Sequence, residues 1–182
     1  MSNKPMIASV WLGGCAGCHM SLLDIDERLL ALLELADIGA TPITDFKLGG
    51  FPQADVGLVE GAVCNTDNIR FLEEIREKSK FLVSFGDCAG WGCVPFMRNF
   101  FPLEQVMERG YIFTPSTVDG FIPDDEELPR QLEKVQPIRK FVPVDFHIPG
   151  CPPNADTIFY VVSELVQGRV PDSIPQPLLH FD

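Results

Sequence analysis

The sequence predicts an α/β protein with a flavodoxin-like fold, in which helices cover both faces of an open parallel sheet. Apolar runs of strand length alternate along the chain with segments whose apolar residues recur at helical spacing. The chain has 182 residues and a hydrophobic fraction of 46%, which suits one domain with a full core. We therefore expect residues 1–182 to form a single domain, with an extended C-terminal tail and its functional loops at the carboxyl ends of the strands.

The first strand and the first helix come from the first forty residues. Residues 6–12 are apolar except for Ser9 and predict a buried strand. Leucine and isoleucine recur at helical spacing over residues 22–33 and predict one helix. Ser21 and Asp24 resemble a capping box at its start, although aspartate is a weaker third-position partner than glutamate.

The middle of the chain predicts three more strands and a second helix. Residues 43–46 suit a short second strand, and residues 56–63 suit a third strand that is apolar except for Glu60. Asn65 is a residue that starts helices. The apolar face of the helix that follows carries Ile69, Leu72 and Ile75. Residues 81–85 are apolar except for Ser84 and predict the fourth strand.

The second half of the chain is less regular. A helix is expected around residues 103–109, and the proline-rich stretch 114–137 is expected to leave the core, with one short helix near residues 128–135. Alternating apolar residues predict a fifth strand around residues 142–146. Asn154 then caps a last amphipathic helix.

The composition excludes several classes of function. The net charge of −12 argues against a nucleic-acid partner, because phosphates require clustered Lys and Arg. No apolar run approaches the roughly 18 residues that span a bilayer, and the start of the chain lacks the pattern of a signal peptide. We therefore expect a cytoplasmic protein without a membrane span.

The six cysteines indicate metal binding or redox chemistry, because a reducing compartment disfavours a disulfide framework. Cys15 and Cys18 follow the first predicted strand. Cys88 follows the fourth strand and Cys151 follows the fifth. The carboxyl ends of parallel strands face one edge of a sheet, where ligands bind. These four thiols are therefore expected to meet in space.

Four thiolates are the common ligands of a [4Fe–4S] cluster, and glycines beside them allow the backbone to approach it closely. The glycines to which we assign this role include Gly14, Gly17 and Gly150. Spacing alone leaves other chemistry open, because a C-x-x-C pair also fits a redox dithiol or half of a zinc site. A zinc-stabilised binding module and a thiol oxidoreductase are the alternatives from a different class.

Three cysteine motifs carry a resemblance to a known family. They are Trp11-Leu12 with Cys15-Ala16-Gly17-Cys18, then Gly86-Asp87-Cys88-Ala89, then Pro149-Gly150-Cys151-Pro152-Pro153. In this order they resemble the small subunit of [NiFe] hydrogenases, most closely that of soluble, bidirectional NAD-reducing enzymes. The resemblance runs from the first strand to the last helix. It implies that one [4Fe–4S] cluster is ligated by Cys15, Cys18, Cys88 and Cys151, next to a nickel–iron site in the large subunit.

The resemblance implies a role in electron transfer without catalysis by this chain. Electrons would pass singly between the large subunit and a diaphorase module of iron–sulfur and flavin subunits that reduces NAD+. Many membrane-bound relatives carry two more clusters in a second domain. This sequence ends at Asp182, so we expect one cluster. A flavodoxin-like edge also suits FMN, which stays open as an additional cofactor although no phosphate-cradling loop is distinct from the cysteine loops.

Two alternatives stay within redox enzymes. One is a hydrogenase with a different hydride acceptor. The other is the quinone-module iron–sulfur subunit of a complex I-like enzyme, although that relative has adjacent cysteines where Ala16 and Gly17 separate Cys15 from Cys18.

A few other residues have open roles. Glu60 lies near the end of an apolar strand, where a carboxylate is costly unless it is paired. It fits either a structural hydrogen bond or a role in proton relay or cluster tuning. Cys64 and Cys93 are surplus thiols that fit buried, inert side chains, although Cys93 is close enough to Cys88 in sequence to be an extra ligand. His19 fits packing, capping or tuning of the cluster.

Overall fold

A parallel sheet lies at the centre of the structure, a computed structural model that describes residues 4–44 and 50–179. Within these residues the sheet has five strands: β1 (Met6–Trp11), β2 (Asp37–Ala40), β3 (Ala54–Glu60), β5 (Ser79–Phe85) and β7 (Phe146–Ile148). Their spatial order is β2-β1-β3-β5-β7, and every neighbouring pair is parallel. Counted along the chain, this is the 2-1-3-4-5 order of flavodoxin-like folds, so the predicted fold class is confirmed.

Helices and a small second sheet surround this centre. The α-helices of the described residues are α1 (Gly17–Leu23), α2 (Arg28–Leu35), α3 (Thr66–Lys78), α4 (Asp87–Trp91), α5 (Leu103–Tyr111) and α6 (Ala155–Val166). Strands β4 (Val63–Asn65) and β6 (Gln131–Gln136) pair antiparallel. Short 3-10 helices lie at Val94–Phe100, Ile138–Lys140 and Gln176–Leu178. No helix in the described ranges has the length and apolar character needed to cross a bilayer.

The two faces of the sheet bury separate apolar cores. On one face, Leu58 of β3 packs in a cluster with Leu32 of α2 and Val161 of α6. On the other face, the next residue, Val59, packs in a cluster with Leu72 of α3. Neighbouring residues of a strand point to opposite faces, and both faces need cover. Helices on both sides of the sheet, as predicted, supply it.

The single helix predicted over residues 22–33 is wrong, because the segment forms two helices. α1 begins at Gly17 and ends at Leu23, and the backbone of Asp26 takes a left-handed φ of 56° before α2. A left-handed residue stops an α-helix. Ser21 therefore lies inside α1, where its hydroxyl donates to the Pro153 carbonyl at 2.5 Å instead of capping a helix.

The second strand lies earlier than predicted. β2 pairs with β1 in the register Met6↔Asp37. Of the predicted strand at residues 43–46, residues 43–44 form a turn and bend, while 45–46 lie outside the described residues. The predicted third strand also ends early, because Gly61 turns the chain with a φ of 87°. Val63 then belongs to β4.

Two predictions in the second half are corrected as well. The helix expected at residues 128–135 is strand β6, which pairs Gln136 with Val63 and Gln131 with Asn65. The fifth strand of the sheet is β7, later than the predicted 142–146. Pro143 has no N–H for a ladder. Asp145 instead accepts the Leu82 N–H through its carboxylate at 2.7 Å. The helices predicted after Asn65, around residues 103–109 and after Asn154 are confirmed.

Candidate metal centre

The four cysteines singled out from the sequence lie around the carboxyl-end edge of the sheet. Cys15 and Cys18 lie in the loop after β1 and the first turn of α1, Cys88 in α4 directly after β5, and Cys151 directly after β7. Cys18 and Cys88 are buried, whereas Cys15 and Cys151 are exposed. The charge of each of the other three thiols acts on Cys18. The topology thus brings together thiols that are far apart in sequence.

Three of these thiols, those of Cys18, Cys88 and Cys151, have pKa values above the ordinary value. Burial is the largest cause that raises the pKa of Cys18, followed by the charges of Glu60 and the other thiols. Burial, and then the charges of Cys93 and Cys151, raise the pKa of Cys88 to about 12. Burial likewise raises the pKa of Cys151. A metal reverses this balance, because thiolates that ligate it give up their protons. A set of thiols of this kind fits a cationic iron core.

The backbone beside the thiols leaves them room. Gly86 has a φ of 83°, and a Cβ there would lie 2.3 Å from the Cys18 sulfur. Gly150 has a φ of 134°, and a Cβ there would lie 2.5 Å from the backbone of Pro153. Larger residues at these two positions would collide with the ligand loops. Gly17 lies beside the Cys15 sulfur and Gly14 packs against the backbone of Gly61.

Hydrogen bonds tie the cysteine loops to one another. The Asp87 carboxylate accepts the Gly150 N–H at 3.0 Å, and the Asp87 N–H donates to the Gly150 carbonyl at 2.9 Å. Ser21, on α1, bonds to the Pro153 carbonyl. The loops that bear Cys88 and Cys151 are therefore held together, and the second is also fixed to α1.

Glu60 is a buried carboxylate whose hydrogen bonds reach the first cysteine loop. It is 1% exposed. It accepts the Cys18 N–H at 3.2 Å and the His19 N–H at 3.0 Å, and the His19 ring Nδ1 lies 2.5 Å from its Oε2. Burial acts to raise the pKa of Glu60, but the bonds and charge of His19 outweigh it and the pKa lies below its ordinary value. The hydrogen bonds to Cys18 and His19 therefore offset the free energy that burial of the Glu60 carboxylate costs.

The structure shows hydrogen bonds of Ser9, His19 and Asp87 at the site that the sequence did not predict. The ring of His19 continues from Glu60 to the Ser9 hydroxyl at 3.0 Å, and it lies between Trp11 and Phe85 in edge-on contacts. Asp87 joins the two later cysteine loops. The sequence signal for the contacts of His19 is one polar residue in each of two apolar strands, Ser9 and Glu60, because these strands are neighbours in a flavodoxin-like order.

The surplus thiols differ in position. The Cys64 sulfur lies against Gly13 and bonds to the Ala62 carbonyl at 3.7 Å, and burial raises its pKa. The Cys93 sulfur lies 3.9 Å from the Cys151 sulfur. Cys93 therefore belongs to the group of clustered thiols, whereas Cys64 packs beside the first loop.

The described residues include no group of three or more His, Cys, Asp or Glu side chains placed to hold a single metal ion. A [4Fe–4S] cluster binds its thiolates on different irons, so its ligands lie around the cluster and not at the bonding distance of a single ion.

Comparison with known proteins matches this chain to one family over most of its length. The family described as NADH ubiquinone oxidoreductase, 20 Kd subunit, matches residues 15–165. The delta chain of the NAD-reducing hydrogenase HoxS of Cupriavidus necator is 41% identical over 184 residues, which cover 99% of this chain and 87% of that one. One chain of the F420-non-reducing hydrogenase of Methanothermobacter marburgensis is also 41% identical, and this chain spans 56% of its length.

Solved structures agree in fold. A chain of an NAD+-reducing [NiFe]-hydrogenase in the H2-reduced state superposes with a TM-score of 0.93 at 40% identity, and the match covers 99% of this chain and all of that one. A [NiFeSe] hydrogenase of Desulfomicrobium baculatum superposes with a TM-score of 0.57 at 18% identity, which shows a shared fold alone. The resemblance drawn from the three cysteine motifs is thereby confirmed. The chain belongs to the family of the 20 kDa subunit of NADH ubiquinone oxidoreductase, together with the small subunits of [NiFe] hydrogenases.

Proposed function

We propose that this chain is the electron-transfer small subunit of an NAD-reducing [NiFe] hydrogenase. It holds one [4Fe–4S] cluster through Cys15, Cys18, Cys88 and Cys151. The observation that carries the proposal is the convergence of these thiols, from three separate loops, on the sheet edge where open α/β folds bind ligands. The 41% identity to the delta chain of an NAD-reducing hydrogenase supports the choice of enzyme.

When bound, such a cluster accepts and donates single electrons. The residues of this chain hold it and shield it. The four thiolates ligate it, Glu60 fixes the backbone at Cys18, and Asp87 fixes the loop of Cys151. Burial and hydrogen bonds around such sulfurs set the reduction potential. We include no FMN, because the edge that a flavodoxin uses for FMN carries the cysteine loops here.

The proposed partners are a large subunit with the nickel–iron site and a diaphorase module, all in the cytoplasm. Large exposed apolar side chains follow the Cys88 loop in the chain and support a partner surface, since exposed apolar patches mark interaction sites. The exposed ones are Trp91, Val94, Phe96, Met97, Phe100 and Phe101. We call these six residues the apolar apron. Partner subunits that cover it would form an obligate interface.

The test is anaerobic purification of the tagged chain with whatever subunits accompany it, followed by metal analysis and low-temperature EPR before and after hydrogen. Nickel in the complex and a reduced [4Fe–4S] signal that appears under hydrogen are the expected results. A cluster without nickel would favour a complex I-like relay, the second candidate, which the family description itself suggests. Zinc without iron would contradict both.

A further inference from the structure

Cys93 is the thiol next to the centre that the four-ligand assignment leaves unused. Its sulfur lies 3.9 Å from that of Cys151, and it lies close enough to Cys88 for its charge to raise the pKa of that thiol. It is half-buried, between the exposed Cys151 and the buried Cys88. Cys93 is therefore placed as a hydrogen-bond partner of the Cys151 sulfur.

The backbone holds Cys93 there in a conformation that favours glycine. Cys93 has φ 39° and ψ −127°, and it follows Gly92 with a φ of 93°. Non-glycine residues persist in such conformations only where the surroundings impose them, and such positions cluster at functional sites.

The surroundings that impose this conformation lie in the 3-10 helix Val94–Phe100, which Cys93 opens. Asn99 accepts the Val135 N–H at 2.7 Å and donates to the Val135 carbonyl at 2.9 Å. Arg98 donates to the side chain of Gln131 at 3.1 Å and to the Leu132 carbonyl. The helix is therefore fastened to β6, so the position of the Cys93 sulfur is set by the fold.

The direction of the hydrogen bond follows from ligation. Between two free thiols either sulfur can donate. Once Cys151 binds iron it has lost its proton, and the thiol that binds no metal is the donor. Hydrogen bonds to ligand sulfurs stabilise the reduced cluster, which carries one more negative charge, and raise its potential.

On this basis, and resting on the proposed function, we propose that Cys93 is a fifth thiol of the centre. It ligates no iron, and its S–H donates to the thiolate of Cys151, which makes the cluster easier to reduce.

The test is an EPR-monitored redox titration of the co-purified complex in four forms: wild type, Cys93→Ala, Cys93→Ser and Cys64→Ala. Cys93→Ala removes the donor and keeps a side chain at the same backbone position. We expect its iron content to match wild type and its midpoint potential to be more negative. At a fixed potential the ratio of reduced to oxidised cluster should fall several-fold; a tenfold fall corresponds to 59 mV for one electron.

Cys93→Ser keeps a hydroxyl donor on a shorter bond, so its midpoint should lie between those of wild type and Cys93→Ala. Cys64→Ala, a half-buried thiol bonded to a backbone carbonyl, is the matched control and should leave the midpoint unchanged. After exchange into D2O, ENDOR should show an exchangeable deuteron near the wild-type cluster that Cys93→Ala lacks.

Three results would overturn the inference: a wild-type midpoint in Cys93→Ala, an equal shift in Cys64→Ala, or loss of iron in Cys93→Ala, which would make Cys93 a ligand. A wild-type complex without a cluster would remove the proposed function together with this inference. A wild-type cluster whose potential is indifferent to Cys93 would remove the inference alone.

Discussion

Cys18 lies deepest of the four proposed ligands, with 6% of its surface exposed. Burial, the carboxylate of Glu60 and the neighbouring thiols all raise its pKa. A thiolate at this position therefore needs a bound cation to offset the surrounding negative charge. Of the ligand positions, it is the one where solvent is least able to take the place of a lost sulfur.

Replacing Cys18 by alanine should accordingly remove the iron and acid-labile sulfide of this cluster from the purified complex, because one iron loses its ligand in a buried site. Visible absorption and metal analysis measure the loss. Cys64→Ala is the control, because it makes the same substitution at a cysteine that is not a proposed ligand, and it should retain the cluster. Full iron content in Cys18→Ala, or complete loss in Cys64→Ala, would mean that the ligand set is wrong.

Glu60 acts through the backbone of the first cysteine loop. Its two oxygens accept the N–H groups of Cys18 and His19 and contact the His19 ring. Glu60→Gln keeps the volume but loses the charge and one acceptor. An unpaired buried polar group costs about 1–3 kcal/mol, so we expect the variant to unfold more easily by about this amount in denaturant titration.

A second substitution in the same hydrogen-bond network serves as the comparison for Glu60→Gln. Ser9→Ala removes only the far end of the network, at His19 Nε2, and should cost less than Glu60→Gln. Equal stability of wild type and Glu60→Gln would show that the carboxylate network does not stabilise the loop.

Strands, helices and the bonds between them place these side chains. Asp55, in β3, accepts the N–H of Met6 of β1 at 2.8 Å and pairs with Lys80 of β5 at 2.7 Å. The hydrogen bond from Lys80, then the Met6 N–H, hold the pKa of Asp55 below its usual range. One carboxylate thus joins three neighbouring strands at the edge opposite the cysteines.

This pairing predicts a pH dependence of stability. The pKa of Asp55 is lower in the folded chain than in the unfolded chain. Its contribution to the free energy of unfolding is therefore fully present at pH values above the pKa of the unfolded chain. It is lost as pH falls through the lower, folded value. The difference in stability between wild type and Asp55→Asn should therefore be constant from pH 7 to 5 and shrink below about pH 4. A difference that grows on acidification would contradict the assignment.

The sequence predicts an element well when the residues that determine it lie close together in the chain. Apolar strand runs and the Asn65 cap are local, and they place Cys88 and Cys151 at strand ends correctly. The break at Asp26 is not visible in apolar spacing, because a single left-handed residue changes the chain direction without changing the pattern. β6 depends on pairing with β4, which lies far away in sequence. The contact between His19 and Glu60 spans 41 residues and leaves no local trace.

At the scale of the whole molecule, the exposed apolar side chains of the described residues favour assembly with other chains. Residues 94–134 contain no buried side chain, and Phe100 in the apolar apron is 80% exposed. Such exposed apolar side chains fit a surface that a partner covers.

Phe100→Glu should reduce co-purification of the large subunit at least several-fold, because a carboxylate in the core of an interface loses its hydration without gaining a partner. Quantitative mass spectrometry of the tagged complex measures this. Leu30→Glu, at a position 69% exposed on α2, is the control and should leave the yield unchanged. Normal assembly of Phe100→Glu would place the interface elsewhere.

The most direct measurement is the amount of iron, acid-labile sulfide and zinc per chain in the anaerobically purified complex. The measurement is made on wild type and on Cys18→Ala, and the difference between them is the content of this cluster. We predict that Cys18→Ala lowers the content by about four irons and four sulfides relative to wild type, with no change in zinc. Unchanged iron and sulfide in Cys18→Ala, or the loss of one zinc in their place, would contradict the assignment of this chain as an iron–sulfur electron carrier.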